Sequence, residues 1–386
     1  MQVPFLSKIK GEKHVAIFDV GSGSIAGGLA TVSKGGAAKV YFSQRSLLSY
    51  EDRTEEQRVS ALTELIKEVG SKVSSAQSKL KIVPSEVLVS IHAPWVTSAT
   101  YTNEQEFENS QKISSNDVKT CAKKASKSDE SKSDLAAVIE KSVVRVELNG
   151  YPTPDPVGKD AQAISVTVIE SKMHSALHKQ VDQVLKNQFS NARIVFRSAT
   201  IVDTTLLQTY APTEGHYTVA DVTSESTALT VIRDGVISDY QVVPIGARSL
   251  VQAIAREKKI SDEDALSRVR MFVKDECSTD ECKSISIALE AAGGACTEGF
   301  GKVFAEIVKN KRLPNVLVLK AQPDLAKWFA SFFSRLDFSQ FTETTKPFEV
   351  LHLSHASFAE RLIFIPGVSP DSGIAAGALF VHTSAD

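Results

Sequence analysis

The sequence predicts an α/β protein made of two related lobes, each with the strand and helix order βββα-β. Three observations lead to this prediction. Three β-rich runs joined by turns begin at His14 and are followed by an amphipathic helix and an apolar run, and the same order returns about two hundred residues later. Each copy also opens with a strand that ends in Asp and a turn of small residues, FDVGSGS from Phe18 and ADVTSES from Ala220. The length of 386 residues allows two or three domains.

The first copy begins with the runs VAIFDV, IAGGLATV and KVYFSQRSLL, which the turns GSGS and KGG separate. Such runs predict a meander of hairpins. From Thr54 to Leu80, apolar residues recur at steps of three and four, which predicts a helix with one apolar face. Pro84 ends that pattern, and the apolar EVLVSIH that follows is typical of a buried central strand.

The second copy starts with YTVADV at Tyr217, followed by TALTVIR and VISDYQVV on either side of the hairpin signal Asp234-Gly235. A helix is predicted next, then the buried strand NVLVLK, a helix with an aromatic face and the strand FEVLHL.

The domain boundaries follow from where these patterns are interrupted. An α+β insertion is expected in the first half and a helical subdomain in the second. We expect an N-terminal tail at 1–13, a first lobe at 14–84, 192–213 and 366–386, an insertion at 85–191, a second lobe at 214–246 and 312–365, and a helical subdomain at 247–311.

Composition excludes several classes of protein. With 44 Lys+Arg against 46 Asp+Glu the formal charge is -2, so no excess of basic charge exists to bind a nucleic acid. No apolar stretch reaches the roughly 18 residues of a membrane-spanning helix, so no direct membrane insertion is expected. Four cysteines are too few for a disulfide framework, and Cys277 and Cys282 are predicted to be thiols in a reducing cytosol.

The order of these motifs resembles the actin-like ATPase superfamily, with ribonuclease H-like lobes, and within it the branch that contains the PilM and FtsA families. That branch carries an α+β subdomain of the SHS2 type in its first half. The resemblance runs from His14 to about Phe380 and rests on EVLVSI, VRVELNGYPTPDPVG, AISVTVIE, VVPIGARSLVQAIA, ISDEDALSRVR and SGIAAGALF.

The resemblance implies a nucleotide site in which the two turns face each other across a cleft and cradle phosphates. Asp19 would also hold Mg²⁺ through the nucleotide. The residues that would contact ATP are Asp19, Gly21, Ser22, Gly23 and Ser24 in the first copy and Asp221, Thr223 and Ser224 in the second.

Departures from the family pattern put ATP and Mg²⁺ binding in question. The turn after Asp221 contains no glycine, and Glu225 would place a negative charge where a phosphate should sit. The strand NVLVLK runs into Ala321 and Gln322 instead of the usual glycine pair. No catalytic residue is identified, so at most slow ATP hydrolysis is expected, and a nucleotide-free scaffold remains open beside ATP binding.

The function implied by the resemblance is that of a cytoplasmic scaffold of the PilM type. It would receive the cytoplasmic tail of an inner-membrane assembly protein similar to PilN, and would be peripheral to the membrane through that partner. The alternatives are a cell-division scaffold similar to FtsA that polymerises by self-association, or an active ATPase. Because an edge strand can receive an extended segment, the candidate partner contacts are Val87, Val89, Ile91, Val144 and Val146.

Overall fold

The structure is a computed structural model, and it describes residues 11–49, 53–125, 136–210, 215–274 and 276–383. Of the predicted N-terminal tail, only residues 11–13 lie within these ranges.

The first copy folds as the sequence predicts. Antiparallel hairpins join its first three strands, and the fourth strand lies parallel to the first. The helix between them begins at a capping box of Thr54 and Gln57, and it packs its apolar face, which includes Leu62 and Ile66, against the sheet. These elements are β1 (Lys13–Val20), β2 (Ser24–Val32), β3 (Ala38–Leu47), α1 (Glu55–Leu80) and β4 (Glu86–Ile91).

An inserted α+β unit follows, with one antiparallel sheet in the strand order β5-β8-β6-β7 and one helix on it. Ile164, Val166 and Val168 of β8 belong to its own small apolar core. The elements are β5 (Val96–Lys112), α2 (Ser115–Ala125), β6 (Ala136–Leu148), β7 (Tyr151–Pro152) and β8 (Asp160–His174).

The chain then returns to the first lobe through α3 (Ser175–Gln188), β9 (Arg193–Ser198) and α4 (Ala199–Tyr210). β9 pairs with β4 in parallel, and α3 packs beside α1.

The predicted boundaries of the insertion, 85–191, therefore need correction. β4 lies between β1 and β9 in the first-lobe sheet, so the insertion starts only at β5. A buried apolar run fits either sheet equally well, and only the parallel pairing assigns β4 to the first lobe. At the other end, α3 packs with the first lobe.

The second copy repeats the topology, with the strand order β12-β11-β10-β13-β14. Helices cover this sheet, and the predicted aromatic face of α8 is buried among Phe300, Phe304 and Phe338. The elements are β10 (Tyr217–Val222), β11 (Thr227–Arg233), β12 (Val236–Val243), α5 (Ala247–Lys258), α6 (Asp262–Val273), α7 (Thr279–Ile307), β13 (Val316–Lys320), α8 (Pro323–Phe333) and β14 (Glu349–His352).

The prediction of free thiols at Cys277 and Cys282 is wrong for this structure. Cys277, just before α7, forms a disulfide with Cys282 in the first turn of that helix, and their Cα atoms lie 5.6 Å apart. Spacing along the sequence alone did not show that the turn brings them to bonding distance. Cys121 and Cys296 are free and buried.

The chain ends in the first lobe with β15 (Leu362–Phe364) and α9 (Ser372–His382). β15 pairs with β3, so the crossover from the second lobe comes a few residues before the predicted boundary at 366. α9 and α4 share one apolar core with Ile17 of β1 and with Tyr217 and Val219 of β10, so the two lobes are joined by packing. No helix in the described ranges combines the length and the hydrophobicity needed to cross a bilayer.

Candidate functional site

The two predicted phosphate turns lie opposite each other between the lobes, and they touch. Ser22 donates a hydrogen bond from its hydroxyl to Thr223 Oγ1 at 2.9 Å, and the backbone N–H of Glu225 donates to Ser22 Oγ at 2.9 Å. Gly23 lies against Ser224 so closely that a Cβ atom on Gly23 would overlap the side chain of Ser224. The structure therefore brings the predicted residues of both turns together. The two turns, however, are in direct contact with each other.

A small cavity lies beside the contact between the turns. It measures about 10 Å³, and its lining comprises Ser22 and Gly23 of the first turn, Ser224 and Glu225 of the second, and Leu48, Ser49, Arg53, Arg58 and Arg248 around them. A single water molecule needs about 10–15 Å³ by this measure, so this cavity does not hold a triphosphate while the turns are in contact.

His92, which follows β4, joins the two aspartates that were expected to face the nucleotide. Its Nε2 atom lies 2.7 Å from Asp19 Oδ1 and its Nδ1 atom lies 2.5 Å from Asp221 Oδ2. All three residues are buried, with exposed fractions of 4% for His92, 4% for Asp19 and 7% for Asp221. The imidazole ring of His92 therefore lies between the carboxylate of Asp19 in the first lobe and the carboxylate of Asp221 in the second.

The charge of His92 follows from these contacts. An ionised carboxylate only accepts hydrogen bonds, so a ring that meets a carboxylate at each nitrogen must donate from both and carry a positive charge. Burial alone would lower the pKa of His92, but the carboxylates of Asp221 and Asp19 outweigh it and raise that pKa to about 10. Burial would raise the pKa of Asp19, but His92 and Arg45 hold it well below its usual value.

Arg45 of β3 provides a second cation on the first-lobe side. Its guanidinium donates to Asp19 Oδ2 at 2.7 Å, to Asp371 Oδ2 at 2.7 Å and to Ser24 Oγ at 2.9 Å. Asp371 also accepts hydrogen bonds from the backbone N–H groups of Gly373 and Ile374, which makes it the N-cap of α9. Asp19 is therefore fully engaged by residues of this chain.

Lys320 provides the cation at the end of β13 and binds Asp203 of α4 through both carboxylate oxygens, at 2.9 and 3.0 Å. Burial alone would lower the pKa of Lys320, but the carboxylates of Asp203 and Asp221 raise it above its ordinary value. This ion pair lies at the end of the strand for which the family resemblance implied a glycine pair.

Glu225 does not carry the uncompensated negative charge that the sequence suggested. Its carboxylate lies 3.3 Å from Arg58 Nη1 and 3.3 Å from Arg248 Nη1. The arginine of α1 and the arginine of α5 therefore neutralise the rim of the second turn, and a repulsion at this point is not what closes the site to phosphate.

Sequence reasoning missed His92, Arg45, Lys320, Asp203 and Asp371. The strand order contains a signal for two of them, His92 and Lys320. β1 and β4 are parallel with Val20 opposite Ile91, and β10 and β13 are parallel with Asp221 opposite Lys320. Because the carboxyl ends of parallel strands meet at one edge of a sheet, the polar residues there come together.

The predicted partner contacts have different positions. Val87, Val89 and Ile91 of β4 are fully buried, and β4 is paired on both sides, so this strand has no free edge for a partner. That part of the prediction is wrong, for the reason that also moved the insertion boundary. Val144 and Val146 lie on β6 in the insertion, where Val146 is buried and Val144 is half-buried.

Among the described residues, no strand pairs with the outer edge of β6 ahead of Glu147, where the short pairing with β7 begins. Next to that pairing, the carbonyl of Val146 accepts a hydrogen bond from the backbone N–H of Thr153 at 2.8 Å. β9 is itself the edge strand of the first-lobe sheet. The two strands are tied at Glu140 of β6, which contacts Arg197 at 3.4 Å and accepts a hydrogen bond from Ser198 Oγ at 3.0 Å.

Comparisons with known proteins agree with this architecture. No protein-family model matches the sequence, and no curated protein sequence matches it. A chain in the structure of the PilM-PilN type IV pilus biogenesis complex matches with a TM-score of 0.61 at 13% identity, over 97% of this chain and 99% of that one.

More distant matches include the ethanolamine utilization protein EutJ from Carboxydothermus hydrogenoformans, with a TM-score of 0.45 at 12% identity over 98% and 92% of the two chains. A ROK hexokinase from Thermus thermophilus has a TM-score of 0.36 at 11% identity over 96% and 97%. Identities this low inform on the fold alone, and of the three structures named here the first has a TM-score above 0.5. The chain therefore has an actin-like ATPase fold that resembles PilM.

Proposed function

We propose that this chain is an assembly scaffold of the PilM type that binds a short extended segment from the cytoplasmic tail of an inner-membrane protein. The segment would add to the outer edge of β6, at the junction of the insertion and the first lobe. The protein would stay in the cytoplasm and would be held at the inner membrane by that partner.

The open edge of β6 is the observation that carries this proposal. An exposed strand edge offers a row of main-chain donors and acceptors, and the side chains beside it select the partner. Val138 of β6 is 38% exposed, and Val144 is half-buried. Apolar side chains at such an edge favour a partner segment with alternating apolar residues.

The state of the interlobe cleft also supports a scaffold over an ATPase. The turns that would hold phosphates contact each other, and the acidic residues that would hold Mg²⁺ are neutralised by His92 and Arg45. The residues present do not fit a nucleotide with its metal ion, so we assign no catalytic step to this cleft. The PilM-PilN complex shows that a protein of this fold assembles with a pilus protein.

The test uses short fluorescent peptides that copy the cytoplasmic tails of single-pass inner-membrane proteins from the same cell. At least one peptide should bind the full chain. Val138→Asp and Val144→Asp place a charge on the strand edge and should each weaken binding about tenfold, which equals about 1.4 kcal/mol.

Ala99→Asp is the matched control, because Ala99 is exposed on β5, at the opposite edge of the same sheet. It should leave the affinity unchanged. If no tail peptide binds, or if Ala99→Asp weakens binding as much as Val138→Asp, docking at β6 is wrong and the fold assignment stands.

A further inference from the structure

We propose that His92 is this chain's own replacement for a ligand between the lobes, and that its ring latches the two lobes closed through Asp19 and Asp221. The residues between the lobes do not fit the ligand that the fold implies, and this holds whether or not a partner docks at β6.

The position of His92 makes it a link between lobes. Asp19 and His92 come from neighbouring parallel strands of the first lobe, whereas Asp221 comes from the second. Two buried carboxylates at such close range repel each other unless a cation lies between them. In this structure the imidazolium supplies that cation, and each of its nitrogens donates to one carboxylate.

The latch closes one end of the interface, and apolar packing closes the other. Tyr217, Val219 and Val318 of the second lobe share a buried core with Ile17 and with α9 of the first lobe. The turns, by contrast, meet through polar contacts such as that of Ser22 with Thr223. If the ring were removed, the apolar core would still join the lobes, and the end that holds the turns would keep only its polar contacts, which include the ion pair of Arg58 with Glu225.

The alternative hypothesis is that His92 only fills a polar pocket in a rigid interface. In that case the contacts of the turns and the apolar core keep the lobes closed without the ring. The two hypotheses differ in what happens at the turns when the ring is removed, and in whether a cation can replace it.

The test compares His92→Ala with the wild-type full chain by hydrogen exchange. The N–H of Glu225, which donates to Ser22, reports on contact between the turns, and amides in the middle of α7 report on the rest of the second lobe. The latch predicts that exchange at Glu225 becomes at least about tenfold faster while α7 is unchanged, since local opening and global unfolding are separate processes.

Addition of millimolar MgCl₂ provides the second arm. In His92→Ala, Arg45 still binds Asp19 Oδ2, but Asp19 Oδ1 and Asp221 Oδ2 lose the ring. Mg²⁺ bound between these two oxygens should slow exchange at Glu225 towards the wild-type rate. Wild type should not respond to Mg²⁺. The proposal is overturned if amide exchange at Glu225 in His92→Ala stays at the wild-type rate. It is also overturned if that exchange does not respond to Mg²⁺.

A second variant covers the case in which His92→Ala does not fold. Asp221→Asn keeps the ring and its bond to Asp19 but removes the charge on the second lobe. The latch predicts faster exchange at Glu225 in this variant also, with α7 unchanged. If Asp221→Asn keeps the turns as protected as in wild type, the proposal is wrong.

Discussion

Gly23 and Ser224 are in direct contact across the interface between the lobes, because each lies in the turn that follows the first strand of its copy. A Cβ atom added to Gly23 would overlap the Cβ of Ser224. Glycine is therefore used at this position for the close approach of another lobe, where the family pattern would use it for the close approach of a phosphate.

We expect Gly23→Ala to lower the free energy of unfolding by about 1–3 kcal/mol, because the added methyl group overpacks a closed interface. Gly21→Ala is the matched control. Its Cβ would lie no closer than 3.4 Å to Ser24 O, which is an ordinary contact, so a change of about 0.5 kcal/mol or less is expected. Chemical denaturation measures the free energy of unfolding of both variants.

The second-site change Ser224→Gly makes this prediction specific. It removes the atom that Gly23→Ala would strike, so the double variant should recover most of the lost stability. Equal stabilities of Gly23→Ala and Gly21→Ala would show that the turns are not in contact in solution.

Millimolar ATP with Mg²⁺ should leave the melting temperature of the wild-type protein unchanged, because the space between the turns is too small for phosphates. A ligand present at 100 times its Kd would add about 2.7 kcal/mol, which for a chain of this size is a shift of about 3 °C. Differential scanning fluorimetry at constant ionic strength resolves such a shift. A saturable rise with ATP would mean that the lobes open to admit nucleotide, and would favour the ATPase alternative.

The parts of the fold that could be predicted are those with a local signal. The hairpins of β1 to β3, the apolar face of α1 and the two Asp residues before small-residue turns follow from periodicity and turn chemistry, and the structure confirms this order. That the two turns would face each other was implied by the family resemblance, and in the structure they lie opposite each other and in contact.

The state of the site could not be predicted in the same way. A histidine after a buried strand has no periodic signature, and nothing in the residues around His92 shows that Asp221, far along the chain, completes its contacts. The pairing of Lys320 with Asp203 likewise depends on how α4 crosses between the lobes. Contacts that close only in the tertiary fold leave little trace in the local sequence.

Lys320→Met should lower the free energy of unfolding by about 3–5 kcal/mol, since it leaves a buried carboxylate without its partner. The side chain of Asp203 is only 2% exposed. The double variant Lys320→Met with Asp203→Asn removes the stranded charge and should recover part of the loss. Urea denaturation of the two single variants and the double variant measures the coupling.

Lys302→Met is the control for the comparison of the Lys320 and Asp203 variants. Lys302 forms an ion pair with Glu298 on the surface of α7, where both side chains are 73% exposed, so its removal should have little effect. If Lys320→Met lowered the free energy of unfolding as little as Lys302→Met, the ion pair of Lys320 and Asp203 would not be buried in solution.

Glu140 should make stability depend on pH at the junction of β6 and β9. Burial raises the pKa of this carboxyl above its ordinary value of 4.5, and it outweighs the opposing effects of Arg197 and of the hydroxyls of Ser198 and Ser171. Its contribution to stability is complete below that value and is lost as pH rises through the folded-state pKa.

We therefore expect wild type to lose stability relative to Glu140→Gln as pH rises from about 4 to about 7, because glutamine does not ionise. The guanidinium of Arg197, which lies 3.4 Å from the Glu140 carboxylate, limits the loss. In Arg197→Met the folded-state pKa of Glu140 should rise further, so the decline should extend to higher pH. Denaturation at a series of pH values gives the three curves, and parallel curves for wild type and Glu140→Gln would show that Glu140 is solvated and that the junction is open to water.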